Sequence, residues 1–410
     1  MIHRVAITGM SGVTAFGEGW DAVCAGLKSG RNAVRKMPEW AEYKGLNTLL
    51  GAPIDDFSLP PHYTRKQTRS MGRVSLLSTR ATELALEQAG LIGDPILTGG
   101  RTGIAYGSST GSTKPVSDIA TMLTEKHTYN ITGTTYVQMM PHTAAVNVGL
   151  FFGLRGRVIP TSCACTSGSQ AIGYAWEAIR HGYQTVMVAG GAEELCPSEA
   201  AVFDTLFATS QRNDAPETTP APFDRSRDGL VIGEGAGSLI LEEWEHAKAR
   251  GATIHGEVIG FATNCDAAHV TQPQRETMQI CIEQALKSTG LAPQDIGYIS
   301  AHGTATDRGD IAESNATAAV FGDKTPISSL KSYFGHTLGA CGALEAWLSL
   351  EMMREGWFAP TANLRDPDEQ CGALDYIMGT PRTLECEFLQ SNNFAFGGIN
   401  TSLIFRRGDS

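Results

Sequence analysis

The chain has 410 residues, 42% of them hydrophobic and 18% charged, a balance that buries a large core and excludes intrinsic disorder. Its formal net charge of −11 argues against broad binding to nucleic acid or anionic membranes. "MIHRVAITGM" does not resemble a signal peptide, and the longest nearly apolar stretch, "AAVNVGLFFGL", falls short of the roughly 20 residues of a membrane span, so a soluble, cytoplasmic protein is expected.

Short β-branched runs alternate with amphipathic stretches along the chain. "HRVAITG" reads as a strand and "GWDAVCAGLKSG" as a helix stopped by glycine. "TGIAYGSSTG" and "RVIPTSC" read as strands entering Gly/Ser turns. "SQAIGYAWEAIRHG" follows as a helix, then the strand "QTVMVAGGAEE" and the strand–helix "GAGSLILEEWEHAKARG". A second series repeats the scheme: strand "IHGEVIGFAT", helix "QRETMQICIEQALKSTGL", strand "IGYISAHGTAT", helices "GDIAESNATAAVF" and "GALEAWLSLEMMREG", and a closing strand–glycine loop–strand in "LECEFLQSNNFAFGGINTSLIF". Two such series predict a duplicated α/β architecture around parallel-type sheets, divided near residue 252 into halves 1–252 and 253–410. The "GEGAG" run (233–237) lacks the Lys-Ser/Thr of a phosphate cradle and reads as a structural turn.

"RVIPTSCACTSGSQAIGYAW" (157–176) carries two cysteines two apart. A lone C-x-C lacks the second pair of a tetrahedral zinc site, and redox pairs use C-x-x-C. The nine cysteines are odd in number and scattered, which suits reduced thiols better than a disulfide framework. A thiol at a helix start has its pKa lowered by backbone N–H groups and the helix dipole. Cys165 stands at that junction and is the expected nucleophile; Cys163 is expected still in the strand, as a small buried side chain lining the site.

"ACTSG", "AHGTATDRGD", "SSLKSYFGHTLGACGALE" and "NNFAFGGIN", in that order, make the whole chain resemble the β-ketoacyl-acyl-carrier-protein synthases of the thiolase superfamily, in the subgroup with a Cys-His-His site. The resemblance implies a five-layer αβαβα fold of duplicated halves and acyl transfer to Cys165. It implies that His302 and His336 stabilise the enolate formed when a malonyl thioester decarboxylates. Lys331 with Glu313 as its acidic partner would organise the site electrostatically, as a buried ammonium needs a counter-charge. Thr304 and Thr306 match hydroxyls that hold a phosphopantetheine arm. Phe396 matches a gating phenylalanine whose N–H, with that of Cys165, forms an oxyanion hole. Metal and organic cofactors are not implied; the substrates ride on an acyl carrier protein.

Arg65, Arg69 and Arg73 are four apart, so a helix would align them, with Lys66 alongside, in a basic stripe; acidic carriers would be steered by it. Departures from the commonest family pattern fall at Ala395, Asp307-Arg308, Cys163, Thr110, the aromatics of "KSYFGH" and the segment "TYVQMMPHTAAVN". Thr110 and Cys163 are the positions expected in the acyl pocket, and their polarity suggests a specialised polyketide or polyene pathway beside housekeeping fatty acid synthesis. The C-terminal glycine loop lacks the second cysteine of a degradative thiolase, and His336 stands where an initiating synthase has asparagine. A silent chain-length-factor subunit would lack Cys165. A homodimer is expected, or a heterodimer with such a factor.

Overall fold

The computed structural model describes residues 2–408. The first half contributes the strands β1 (Val5–Thr14), β2 (Thr102–Gly107), β3 (Val158–Pro160), β4 (Val186–Glu193) and β5 (Gly235–Glu243). All residues of β1, β2 and β4 are buried, which is why these segments read as unbroken apolar runs rather than alternating ones. The strands lie in the order β3-β2-β4-β5-β1. The second half supplies β6 (Gly256–Cys265), β7 (Ile296–Ser300), β8 (Pro326–Ser328), β9 (Phe388–Ala395) and β10 (Ile399–Arg407). Their order, β8-β7-β9-β10-β6, repeats the first half strand for strand. This is the duplication that the two β/α series predict.

The sheets are mixed rather than parallel. β2 runs parallel to β3 and β4, and β7 parallel to β8 and β9, whereas β4–β5, β5–β1, β9–β10 and β10–β6 pair antiparallel. For β9 and β10 the cause is local: a short turn joins them, and parallel pairing needs a long crossover. β1 and β6 pair over Val5–Ile7 and Gly256–Val258, which joins the half-sheets.

Helices α1 (Arg73–Gln88) and α2 (Thr143–Phe152) pack on the first half-sheet. Next in chain order is α3 (Ser167–Arg180). Helix α4 (Arg275–Thr289) packs on the second half-sheet and carries α5 (Asp307–Phe321) against it. Helix α6 (Cys341–Glu355) touches α3, and both contact strands of the two half-sheets, so they form the middle of five layers. Helix α6 is buried from Cys341 to Met353, as a helix between two sheets must be. Gly191, near the end of β4, permits a close approach: a Cβ there would lie 2.3 Å from the carbonyl oxygen of Gly339. Among the described residues no helix is long and apolar enough to cross a membrane.

Candidate active site

Cys165 sits in the tight turn Ala164–Thr166 between β3 and α3 and is 4% exposed. Cys163 lies outside the strand, correcting the sequence expectation: β3 ends at Pro160, and the Cys163 N–H donates to Ser167 Oγ at 2.9 Å instead of to a ladder partner. Ala164 is held at φ +47°, a left-handed conformation of order 1–3 kcal/mol above the ordinary one. The Ser167 hydroxyl donates to the Ala164 carbonyl (2.7 Å) and that of Thr166 to Cys163 (2.8 Å), which fixes the turn and the sulfur it carries.

The second half delivers both histidines. His336 follows a short helix, Lys331–Phe334, and its backbone is clamped to the 231–233 segment by hydrogen bonds of 2.7 and 2.9 Å. Its Nε2 lies 3.0 Å from the Cys165 sulfur, and its Nδ1 accepts the Leu338 N–H at 3.2 Å. His302 follows β7; its ring stands nearly perpendicular to that of His336, with centroids 5.2 Å apart. Lys331 Nζ donates to His302 Nδ1 at 3.2 Å. The sulfur and one nitrogen from each imidazole all fall within 4.8 Å of one another.

These partners settle which imidazole nitrogens carry protons. Burial, with Lys331 nearby, pushes both histidines well below their ordinary pKa, so both are neutral. Each Nδ1 accepts a hydrogen bond, so each Nε2 carries the proton. Two N–H donors suit a developing oxyanion.

The thiol differs from expectation. Burial pushes the Cys165 pKa up to about 12, against the opposing pull of Lys331 and of the backbone N–H groups of Phe396 and Cys165 itself. Desolvation outweighs the helix terminus, and the resting sulfur is protonated.

Lys331 is 1% exposed, and its ion pair is with Glu345 of α6, not with Glu313. Burial opposes the charge, but Cys341 and Glu345 prevail and hold its pKa above the ordinary value. Asn393 Nδ2 donates to the other Glu345 oxygen at 2.7 Å and lies 3.5 Å from His302 Nδ1. Glu313 accepts the N–H groups of His302 and Gly303 at 2.6 and 2.7 Å, because the first turns of α5 face the 302–305 loop. Burial pushes its carboxyl up to about 8. Asp310 holds the same loop through the N–H groups of Thr304 and Ala305 at 3.0 and 3.1 Å. Sequence reading missed Glu345, Asn393 and Asp310. For Glu345 the signal was a carboxylate inside the otherwise apolar run "GALEAWL"; Asp310 and Asn393 lie in polar stretches that carry no such mark.

A cavity of about 400 Å³ opens on Cys165, His302, His336, Thr304, Thr306 and Phe396. The Thr304 and Thr306 hydroxyls are 2.9 Å apart. Phe396 sits in the turn between β9 and β10, its ring 5.0 Å from that of Phe203. Gly397 and Gly398 have φ of +87° and +73°, and the turn is tied to the 265–274 loop by Gly397 N–H to Val270 O and Asp266 N–H to Gly398 O, both 2.7 Å.

Thr110 and Cys163 are absent from the described walls of this cavity; the Thr110 hydroxyl instead lies 3.2 Å from a Glu193 oxygen and 3.0 Å from a Glu199 oxygen. The basic stripe is broken. Arg65 lies in a short helix, Arg65–Thr68, while α1 begins at Arg73 after an extended Gly72. The Arg73 guanidinium is bound to the buried Glu234 and to the Ile54 carbonyl (2.8 Å), which leaves Arg65, Lys66 and Arg69 exposed without it.

Two family models match the chain: the β-ketoacyl synthase N-terminal domain over residues 3–247 and the β-ketoacyl synthase C-terminal domain over 255–365. Among curated proteins, 3-oxoacyl-[acyl-carrier-protein] synthase 2 of Synechocystis is 35% identical, covering 98% of each chain. Nodulation protein E of Rhizobium meliloti is 37% identical over 99% of this chain and all of its own. A crystal structure of a β-ketoacyl synthase from Burkholderia phymatum superposes with a TM-score of 0.98 at 60% identity, over 99% of this chain and 100% of that one. The ishigamide ketosynthase/chain length factor superposes at 0.91 with 29% identity over the whole of both chains.

Proposed function

Because the chain belongs to the β-ketoacyl synthase family, we propose that it extends carrier-bound acyl chains by decarboxylative Claisen condensation. An acyl carrier protein brings the acyl group as a phosphopantetheine thioester. The Cys165 sulfur attacks the thioester carbonyl; the carbon–sulfur bond to the arm breaks, and the thiol proton leaves with the departing pantetheine sulfur. The backbone N–H groups of Cys165 and Phe396, which already face the sulfur, receive the oxyanion.

A malonyl thioester then binds, its arm beside Thr304 and Thr306. Its carboxylate carbon–carbon bond breaks, CO₂ departs, and the electron pair enters an enolate whose oxygen takes the Nε2–H donors of His302 and His336. The enolate carbon attacks the acyl-cysteine carbonyl. Collapse expels the Cys165 thiolate, which takes up a proton, and the β-ketoacyl thioester remains on the carrier. Lys331, Glu345 and Asn393 hold His302 in the donating tautomer, and Glu313 with Asp310 shapes its loop. Cys165 comes from residues 1–252 and both histidines from 253–410, which we take as the two halves of the enzyme. A cytoplasmic location belongs to the same reading.

The observation that carries this reading is the 3.0 Å contact between Cys165 sulfur and His336 Nε2, with neutral His302 beside it. Intact-mass analysis after incubation with acyl-loaded carriers tests it: one acyl adduct is expected on the wild type and none on Cys165→Ala. A Cys165→Ala variant that still condenses would remove the assignment. Likeness to the ishigamide ketosynthase/chain length factor supports a second reading, as the catalytic subunit of a heterodimer. Condensation by the isolated chain, measured beside its size-exclusion mass, decides between the two.

A further inference from the structure

Arg227 stands in "FDRSRDG" (223–229), a segment of the first half, and its side chain is 3% exposed although Arg225, Ser226 and Asp228 beside it are exposed. A guanidinium keeps its charge on burial and must therefore be given counter-charges. All three come from the second half: Asp368 at 2.6 Å, Asp307 at 3.2 Å and Asp310 at 3.7 Å. Asp307 is well exposed and Asp368 lies near the surface, whereas Asp310 is fully buried and among the described residues pairs with no other lysine or arginine. The Arg227 Nε–H makes no hydrogen bond, so its contact with Asp310 is one of charge. The Asp310 oxygens are given to the backbone instead. Oδ2 accepts the Phe223 N–H at 2.7 Å, and Oδ1 accepts those of Thr304 and Ala305 at 3.0 and 3.1 Å. Ala305 is held at φ +66°, a conformation that a residue other than glycine keeps only where its surroundings impose it.

We infer that Arg227 is a positioning residue: from the first half it supplies the counter-charge of Asp310, and through Asp310 it fixes the 302–305 loop that presents His302 and Thr304 to a malonyl thioester. The inference rests on the condensing activity proposed above. Every group that touches the Asp310 carboxylate is a donor, so only its ionised form satisfies them; a protonated Asp310 would turn its own O–H on another donor. Burial pushes this carboxyl up to about 6, opposed by the Phe223 N–H, by Arg227 and by the two loop N–H groups. The other titratable groups facing it are Glu313 on its own helix, and Cys371 and Tyr376 on the segment packed against α5. Burial raises all three, so they are neutral where Asp310 titrates. Asp307 and Asp368 face the same guanidinium and compete for its charge. Arg227 is thus the charge that sets the state of Asp310.

Arg227→Met, Arg227→Lys and Asp368→Asn test the inference. Decarboxylation of malonyl-pantetheine is followed from about pH 5 to 9, with iodoacetamide alkylation of Cys165 as the control on the fold. Without the Arg227 charge the Asp310 proton is held more tightly, so the acid side of the Arg227→Met profile is expected to move up by about one to three pH units. Arg227→Lys keeps the charge and should move it by less than about one unit. Asp368→Asn removes a competing carboxylate, so the acid side moves down, a direction that mere loosening of the loop would not give. Cys165 alkylation at fixed pH should change by less than about twofold in all three variants. An acid side unmoved by Arg227→Met, or moved upward by Asp368→Asn, would overturn the inference. So would decarboxylation and alkylation falling by the same factor, which would leave Arg227 a residue of the fold alone. Should Arg227→Met not fold, Arg227→Lys and Asp368→Asn decide: the profile shifts little in the first and downward in the second, or the inference fails. If the wild type never decarboxylates malonyl-pantetheine, the condensing activity falls and takes the inference with it.

Discussion

A buried ammonium survives only beside a counter-charge, and for Lys331 that charge is Glu345. Glu345→Gln leaves Lys331 enclosed with a neutral partner, so a loss of about 3–5 kcal/mol in denaturant unfolding is expected; a loss below about 1 kcal/mol would show that the lysine is neutral. The same variant should slow malonyl decarboxylation more than cysteine acylation, because the disturbed charge acts on His302 and not on the sulfur. The titration behaviour of the site is equally specific. With the Cys165 pKa pushed up to about 12, the thiolate fraction grows tenfold per pH unit below that value. Iodoacetamide alkylation of Cys165 should therefore climb with unit slope on a log scale between about pH 7 and 10; a plateau near neutrality would mean a preformed thiolate. The histidines act on stability with the opposite demand. Their folded pKa values lie below the ordinary 6.5, so the unfolded chain binds more protons as pH falls through 6.5. Stability is retained above that pH and is lost on acidification towards the folded values, which urea unfolding at two pH values reads directly.

At the scale of elements, the gate turn couples flexibility to restraint. Gly397 and Gly398 take left-handed φ values that permit the turn, yet Asp266 and Val270 anchor it. A Cβ on Gly398 would lie 2.6 Å from Asp266 Cβ. Gly398→Ala is thus expected to displace the Phe396 N–H from the sulfur and slow acyl transfer by about 10²-fold, the scale of losing one oxyanion donor. Stopped-flow acylation with acyl-pantetheine measures this, and an unchanged rate would free the turn of any catalytic part. The elements also show where the sequence was readable. "NNFAFGGIN" announced strand, turn and strand because glycine pairs and β-rich flanks are local signals. The four-residue spacing of Arg65, Arg69 and Arg73 announced a continuous helix that does not exist, since the break at Gly72 and the burial of Met71 depend on tertiary packing. The Lys331 partner was illegible for the same reason. Glu313 and Glu345 lie at comparable distances along the chain, and only the passage of α6 between the sheets brings Glu345 to the ammonium.

At the scale of the molecule, the proposed chemistry depends on two halves that share a middle layer. Cys165 and the histidines meet because α3 and α6 lie side by side between the half-sheets, each contacting strands of both. The repeat of the 3-2-4-5-1 strand order was legible as two β/α series, but the antiparallel return strands were not, because buried strands carry the same apolar run in either direction. Trp347 lies in the middle layer, fully buried, and its ring would meet a Cβ on Gly12 at 2.6 Å. Truncating it removes core contacts at the heart of α6. Trp347→Ala should lower stability by about 3–5 kcal/mol, the range for deleting a buried indole. Because β1 and β6 also pair across the seam, the loss should be felt by both halves together. Calorimetry of this variant is expected to show a single transition at lower temperature, with Cys165 alkylation and near-ultraviolet circular dichroism changing over the same interval. Two separated transitions, with the thiol exposed in only one, would mean that the halves unfold independently and that the middle layer does not bind the site into one unit.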